Sequence, residues 1–150
     1  DSLSDALVRA LLSDFGSASD TNEARQAAAE ALLYLTLRCN GAKRRVLRSL
    51  GRSGELPSLL EGSVPKVAAK ILSLLRSLAA VEPSSEVDEH VEPEVVDVVV
   101  HCLCRHATDA GVQRWGLAAL GALAAADEGL AQRGLDAGAT CIAWALGADA

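Results

Sequence analysis

Residues 65–80, PKVAAKILSLLRSLAA, carry an apolar pattern that recurs twice elsewhere in this 150-residue chain. Counted from Val67, the apolar residues fall at i, i+4, i+7, i+8 and i+11, which is one face of a three-turn α-helix. The pattern also starts at Ala24, 43 residues earlier, and at Val112, 45 residues later. The three sets are Ala24-Ala28-Ala31-Leu32-Leu35, Val67-Ile71-Leu74-Leu75-Leu78 and Val112-Gly116-Ala119-Leu120-Leu123. The sequence therefore predicts three equivalent long helices.

A period of about 40–47 residues is typical of helical repeats that stack into a solenoid. We therefore predict an all-α fold, a right-handed α-solenoid of about three repeats that starts and ends within a repeat. Residues 1–150 are expected to form one such segment of a longer chain, with further repeats of that chain at both ends. A solenoid supplies binding surface rather than reactive groups, so the pattern indicates a protein that binds other macromolecules.

Residues that typically start or end helices predict further, shorter helices between the three long ones. Gly41 and Gly138 are expected to separate helices, and residues 81–92 are expected to form an irregular acidic loop. The predicted helices are 3–12, 21–38, 42–50, 55–61, 66–80, 93–107, 110–125, 127–136 and 139–146.

Composition supports packed helices and an intracellular protein. Half of the residues are apolar, yet only four are Phe, Tyr or Trp, so the core must consist largely of Leu, Val and Ala. The four cysteines, Cys39, Cys102, Cys104 and Cys141, lack the dense spacing of a disulfide framework and are predicted to be reduced thiols. We find neither a signal peptide nor a transmembrane segment, and expect a cytoplasmic or nuclear location.

Three stretches resemble armadillo repeats, whose units of about 42 residues contain three helices. They are 51–60 (GRSGELPSLL), 112–120 (VQRWGLAAL) and 127–139 (DEGLAQRGLDAGA). HEAT repeats have two helices, so the recurring short–short–long order favours the armadillo type. The resemblance implies a eukaryotic, non-enzymatic protein-interaction scaffold without a cofactor.

In proteins that resemble this chain, the long helices line a concave groove. Some of them grip an extended peptide there with a ladder of Asn residues, each preceded by a Trp four positions earlier. In this chain the Asn position holds Tyr34, Ser77 and Ala122; the Trp position holds Glu30, Ser73 and Ala118; and one turn earlier lie Gln26, Ala69 and Arg114. Because these residues cannot grip a backbone as Asn does, we expect the groove to accept a helix or a domain surface. The alternative is that this face binds nothing.

A basic block is the second candidate surface, and it contains no acidic residue. Its members are Arg38, Lys43, Arg44, Arg45, Arg48 and Arg52. We expect Arg44, Arg45 and Arg48 to contact an acidic segment, a phosphorylated site or an anionic membrane. The alternative is a solvated helix face, partly neutralised by the acidic residues of 81–97. Nucleic acid is not an expected partner, because the net charge is −6 and no aromatic residues alternate with the arginines.

The cluster of His101, Cys102, Cys104 and His106 offers good Zn²⁺ ligands. On a helix, however, Cys102 and Cys104 would point about 200° apart, so we predict a buried core helix and no metal site. We find no catalytic motif either. An interaction scaffold is thus the leading hypothesis. The alternatives are an architectural component of a larger assembly and a metal or redox sensor that uses Cys102, Cys104 and His106.

Overall fold

The computed structural model describes residues 6, 18–54, 56–80 and 91–148, of which 18–21, 40, 42, 53 and 139–148 are described by their backbone alone. All regular secondary structure in these ranges is helical, with no β-strand among them. The helices are α1 (Ala18–Leu37), α2 (Asn40–Ser53), α3 (Leu56–Glu61), α4 (Pro65–Ala79), α5 (Glu94–Arg105), α6 (Ala110–Ala126) and α7 (Glu128–Ala148).

The three long helices predicted from the repeated pattern are present as α1, α4 and α6, each within a few residues of its predicted bounds. Local sequence explains where two of these helices begin. Pro65 begins α4, where its missing N–H costs nothing. Asp109 precedes α6, and its Oδ1 accepts a hydrogen bond from the Val112 N–H at 2.9 Å, which caps that helix.

The helices pack in two rows. In one row α4 lies between α1 and α6, so the three equivalent helices are neighbours in space as well as in pattern. In the other row α5 contacts both α3 and α7, and α2 packs against α1, α4 and α3. The all-helical prediction is confirmed. The packing shows helices that share one core, but it does not test whether they form a solenoid, which remains a prediction.

The repeated apolar pattern forms the core in α4 and α6. All five pattern residues of α4 are buried, and in α6 four are buried and Leu120 is partly buried. In α1 the pattern is less protected: Leu35 is 49% exposed, whereas its equivalents Leu78 and Leu123 are both 0% exposed. The difference arises because α4 covers one side of α1, while α4 itself has a long helix on each side.

One predicted helix break lies slightly earlier than expected, and another is wrong. Gly41 lies inside α2, and the chain leaves α1 at Arg38 and Cys39 instead. Gly138 lies inside α7, a single helix where two short ones were predicted. A glycine within a helix costs only roughly 1 kcal/mol relative to alanine, so glycine alone does not end a helix. The left-handed conformation that favours glycine occurs at Gly54, whose φ of 70° ends α2.

The predicted acidic loop falls largely outside the described residues, which resume at Val91 and Glu92, just before α5. Of the predicted helix at 3–12, only residue 6 is described, in helical conformation.

Helices α5 and α6 are held close together at two points. A Cβ added to Gly116 of α6 would overlap Leu103 Cδ2 and lie 2.8 Å from Leu103 Cγ, so only glycine fits there without movement. At the corner between the helices, Gln113 Nε2 donates to the carbonyl oxygens of Leu103 at 2.8 Å and His106 at 3.0 Å. These bonds supply a side-chain donor to carbonyl groups at the end of α5, where helix carbonyls lack helical partners; the His106 oxygen also accepts from the Asp109 N–H at 3.1 Å.

Candidate functional site

The register of α1, α4 and α6 places the predicted groove residues on neighbouring helices. The central set, Glu30, Ser73 and Ala118, is partly exposed on all three helices. We call the nine residues at these three register positions the groove stripe. Its members are Gln26, Glu30, Tyr34, Ala69, Ser73, Ser77, Arg114, Ala118 and Ala122.

Accessibility varies across the groove stripe. Tyr34 is 66% exposed, and Arg114 is exposed with its guanidinium 5.0 Å from the centre of the Trp115 ring. Ser77, in contrast, is only 6% exposed, so this candidate contact residue offers little surface to a partner. The stripe therefore has a small-residue middle between two large exposed side chains.

Polar contacts cross the stripe between α1 and α4. Gln26 Nε2 donates to Glu30 Oε1 at 3.3 Å, and Lys70 Nζ lies 3.6 Å from the same oxygen. Further along α1, Asn22 Oδ1 accepts a hydrogen bond from the Val64 N–H at 3.1 Å, which links α1 to the residue before α4. The contacts of Lys70 and Val64 link α4 and the residue before it to α1.

The basic block forms most of α2 and divides between two faces of that helix. Lys43 and Arg44 point inward and are buried, whereas Arg45 and Arg52 are exposed. Arg48 is intermediate in exposure. A helix turns by about 100° per residue, so adjacent basic residues in the sequence necessarily point in different directions.

Arg44 differs most from the sequence expectation of a surface contact. It is 6% exposed, and its Nη2 donates to the carbonyl oxygen of Ala79 at 3.2 Å. Ala79 is the last residue of α4, where a positive charge is favoured by the helix dipole and the final carbonyls need donors. Arg44 therefore joins α2 to the end of α4, and the accessible positive charge of α2 lies at other residues.

The cysteine and histidine cluster on α5 is dispersed over the helix. Cys102 is buried and free, whereas Cys104 is exposed and disulfide-bonded. Burial raises the pKa of the Cys102 thiol, an effect that the charge of Arg105 partly offsets, so the thiolate needed for metal binding or nucleophilic attack is disfavoured. Among the described residues, no three or more His, Cys, Asp or Glu side chains group closely enough to hold a metal ion.

The disulfide at Cys104 corrects the prediction that all four cysteines are reduced thiols. Disulfides are rare in reducing compartments, so this bond gives no support to the cytoplasmic location expected from the sequence. Cys39, the other free cysteine of the described residues, is exposed.

Sequence reasoning missed a cleft of about 210 Å³ between α3 and α5. Leu60 and Cys102, both buried, and Val98 supply its apolar lining. At its edge Glu61 Oε1 of α3 lies 3.3 Å from Arg105 Nη1 of α5, and both side chains are well exposed. No signal in the sequence could have indicated this cleft, because it depends on the approach of two helices that the chain does not connect directly.

A second missed contact ties α5 to α7. Arg133 Nη2 donates to Asp97 Oδ2 at 2.6 Å and Arg133 Nε donates to Asp97 Oδ1 at 3.0 Å, a two-pronged ion pair. Hydrogen bonding to Asp97 raises the pKa of Arg133 above its usual range, so the pair stays charged. The pair links the two helices, and both carboxylate oxygens of Asp97 are bound to Arg133.

No protein-family model, curated protein or solved structure matches this chain. The armadillo resemblance therefore remains a resemblance of the residues quoted above. In the described part of the chain, none of the helices has the length and apolar character needed to cross a bilayer.

Proposed function

We propose that this chain is a non-enzymatic scaffold for protein–protein interaction, built as a right-handed, armadillo-like α-solenoid segment that displays the groove stripe. The observation that carries the proposal is the packing of α4 between α1 and α6, with the same apolar pattern facing the core. This neighbourhood of equivalent helices is what stacked repeats would produce, and it supports the proposal.

The composition of the stripe favours a particular kind of partner. Ser73, Ala118 and Ala122 are small, so they leave the middle of the surface without the pockets that would select individual side chains of an extended peptide. Tyr34 and Arg114, which are exposed at the two ends, are residue types that often anchor protein interfaces. We infer that the partner presents a packed helix or a domain surface.

The proposal is tested with the double variant Tyr34→Ala/Arg114→Ala. Both side chains are exposed, so the variant should fold normally while losing the two largest contacts of the stripe. Proteins from the source cells that crosslink to the native chain should be recovered with this variant at about one tenth of the native yield, as expected for the loss of interface anchors.

The matched control is Leu117→Ala/Arg76→Ala, which removes an exposed apolar side chain and an exposed arginine outside the stripe. This control should recover the same proteins at native yield. Equal recovery with both double variants would contradict a role for the stripe.

The exposed edge of α1 favours a second candidate, an architectural component that stacks against a neighbour. Leu35 occupies a position that is fully buried in α4 and α6, and Leu37 beside it is 51% exposed. Sedimentation velocity distinguishes this candidate from the first. Self-association that Leu35→Gln abolishes supports stacking, whereas a monomer at high concentration argues against it.

A further inference from the structure

The solvent face of α2 is the strongest charged feature that the groove stripe does not include. Arg45 and Arg52 are both exposed and lie seven residues apart, which places them on the same side of the helix, about 10 Å apart along its axis. The inward face of α2 consists of buried residues such as Leu47 and Leu50, which hold the helix against the core. The packing of α2 against the core therefore holds the two arginines at a fixed spacing.

We propose that this face of α2 binds an acidic segment of a partner protein, whose carboxylates recur every three or four residues. The proposal rests on the scaffold function above and adds to it a second surface with a defined partner chemistry. A helical acidic segment of this kind presents carboxylates two turns apart, which matches the spacing of Arg45 and Arg52.

The two exposed arginines of α2 have few polar partners among the described residues. The side chain of Arg45 makes neither a hydrogen bond nor an ion pair there. Arg52 Nε lies 3.9 Å from Glu92 Oε1, and the Arg52 side chain is largely exposed. An exposed pair at this distance contributes little, so it does not prevent Arg52 from binding another carboxylate. Residues 38–54 contain no Asp or Glu.

The net charge of the chain favours a short acidic protein segment, rather than a large polyanion, as the partner of α2. The whole chain carries a net charge of −6, which repels a membrane or a nucleic acid that extends over several faces. A short segment at α2 senses mainly the nearby arginines, because charges more than about 8 Å away are screened at physiological salt. None of the large exposed apolar residues of the described chain lies on α2, so this helix has no apolar group to insert into a bilayer.

The test measures binding of a fluorescein-labelled helical peptide of Ala and Glu, with Glu at every third or fourth position, by fluorescence anisotropy. The native chain should bind it, and raising NaCl from about 0.05 M to about 0.5 M should weaken binding markedly. Arg45→Glu/Arg52→Glu should weaken binding by about tenfold or more, since two attractions become repulsions. Arg45→Gln/Arg52→Gln should have a smaller effect in the same direction.

The matched control is Lys66→Glu/Arg76→Glu, which changes net charge equally at two exposed positions of α4. It should alter binding by less than about twofold, because those positions lie on another helix. Equal weakening by the two charge reversals would overturn the proposal, as would equal binding of a peptide with Gln in place of Glu. Thermal melting of every variant confirms that it is folded.

Two further outcomes would assign α2 to another occupant. If the native chain fails to bind the peptide but a variant with Glu86, Asp88 and Glu89 neutralised does bind it, the chain's own acidic residues occupy the site. Binding to phosphatidylserine vesicles without binding to the peptide would indicate a membrane surface instead. The Tyr34→Ala/Arg114→Ala variant should bind the peptide normally, so failure at α2 and failure at the groove stripe are separable.

Discussion

At the scale of single residues, Gly116 shows how closely α5 and α6 are fitted. The space that a methyl group would need there is already filled by Leu103. Gly121 lies five residues further along the same helix, is exposed, and has nothing within 4 Å of the point where its Cβ would be. The two glycines therefore differ in packing while sharing the same helical backbone.

We predict that Gly116→Ala lowers the free energy of unfolding by about 1–3 kcal/mol, because Leu103 must move out of its position. Gly121→Ala should instead raise the free energy of unfolding by about 0.5–1 kcal/mol, since alanine restricts the unfolded chain and nothing opposes it in the fold. Urea denaturation followed by circular dichroism measures both changes.

Leu103→Ala provides the second measurement, because it removes the atoms that Gly116→Ala would meet. The double variant should lose less stability than the sum of the two single variants, which indicates direct contact. Additive losses would contradict the overlap between position 116 and Leu103.

Glycines also mark the limit of what the sequence reveals about single residues. Gly41 and Gly138 were expected to end helices, since glycine is a weak helix former, yet both lie within helices. Gly54 does end a helix, with the positive φ that glycine permits. Residue type alone could not separate these cases, because glycine is compatible both with a helix and with the left-handed conformation that ends one.

At the scale of helices, Arg44 connects α2 to the end of α4. We predict that Arg44→Ala lowers the free energy of unfolding by about 2–3 kcal/mol, because it removes a buried hydrogen bond and leaves a cavity beside the Ala79 carbonyl group. Arg45→Ala, one residue along and exposed, should change stability by less than about 0.5 kcal/mol. Chemical denaturation of the two variants under the same conditions makes the comparison.

Similar losses for the two variants would show that Arg44 is not engaged with α4 in solution. Arg44→Lys offers an intermediate case, since lysine keeps the positive charge near the helix end but cannot reproduce the planar guanidinium group.

The helices themselves were predictable to different degrees. The pattern starting at Val67 identified α4 to within one residue at each end, because its apolar face is continuous and Pro65 marks its start. The inward direction of Arg44 could not be predicted, since its partner is the carbonyl group of Ala79, 35 residues away in the chain. The sequence register could not show which residues of the groove stripe are accessible: Tyr34 is exposed and Ser73 is partly exposed, whereas Ser77 is buried.

At the scale of the whole molecule, α4 is the most enclosed long helix. Its neighbours are α1 on one side and α6 on the other, and its pattern residues are all buried. We predict that amide hydrogens in the middle of α4 exchange most slowly, and that those near Leu35 in α1 exchange about tenfold faster or more, because fewer contacts must break to expose them.

Hydrogen–deuterium exchange with mass spectrometry measures this difference peptide by peptide. Equal protection of α1 and α4 would contradict the contrast in burial between Leu35 and Leu78. Peptides from α6 provide an internal reference, since α6 packs against α4, α5 and α7.

The corner between α5 and α6 has a mechanical consequence. Gln113 Nε2 donates to two carbonyl oxygens, that of Leu103 in the last turn of α5 and that of His106 just after the helix. A pivot of either helix about the corner would break these bonds and disturb the close fit of Leu103 against Gly116, so we expect the pair to resist bending there. We therefore expect bending to occur more readily at other junctions, which is where a partner that needs the surface to flex would act.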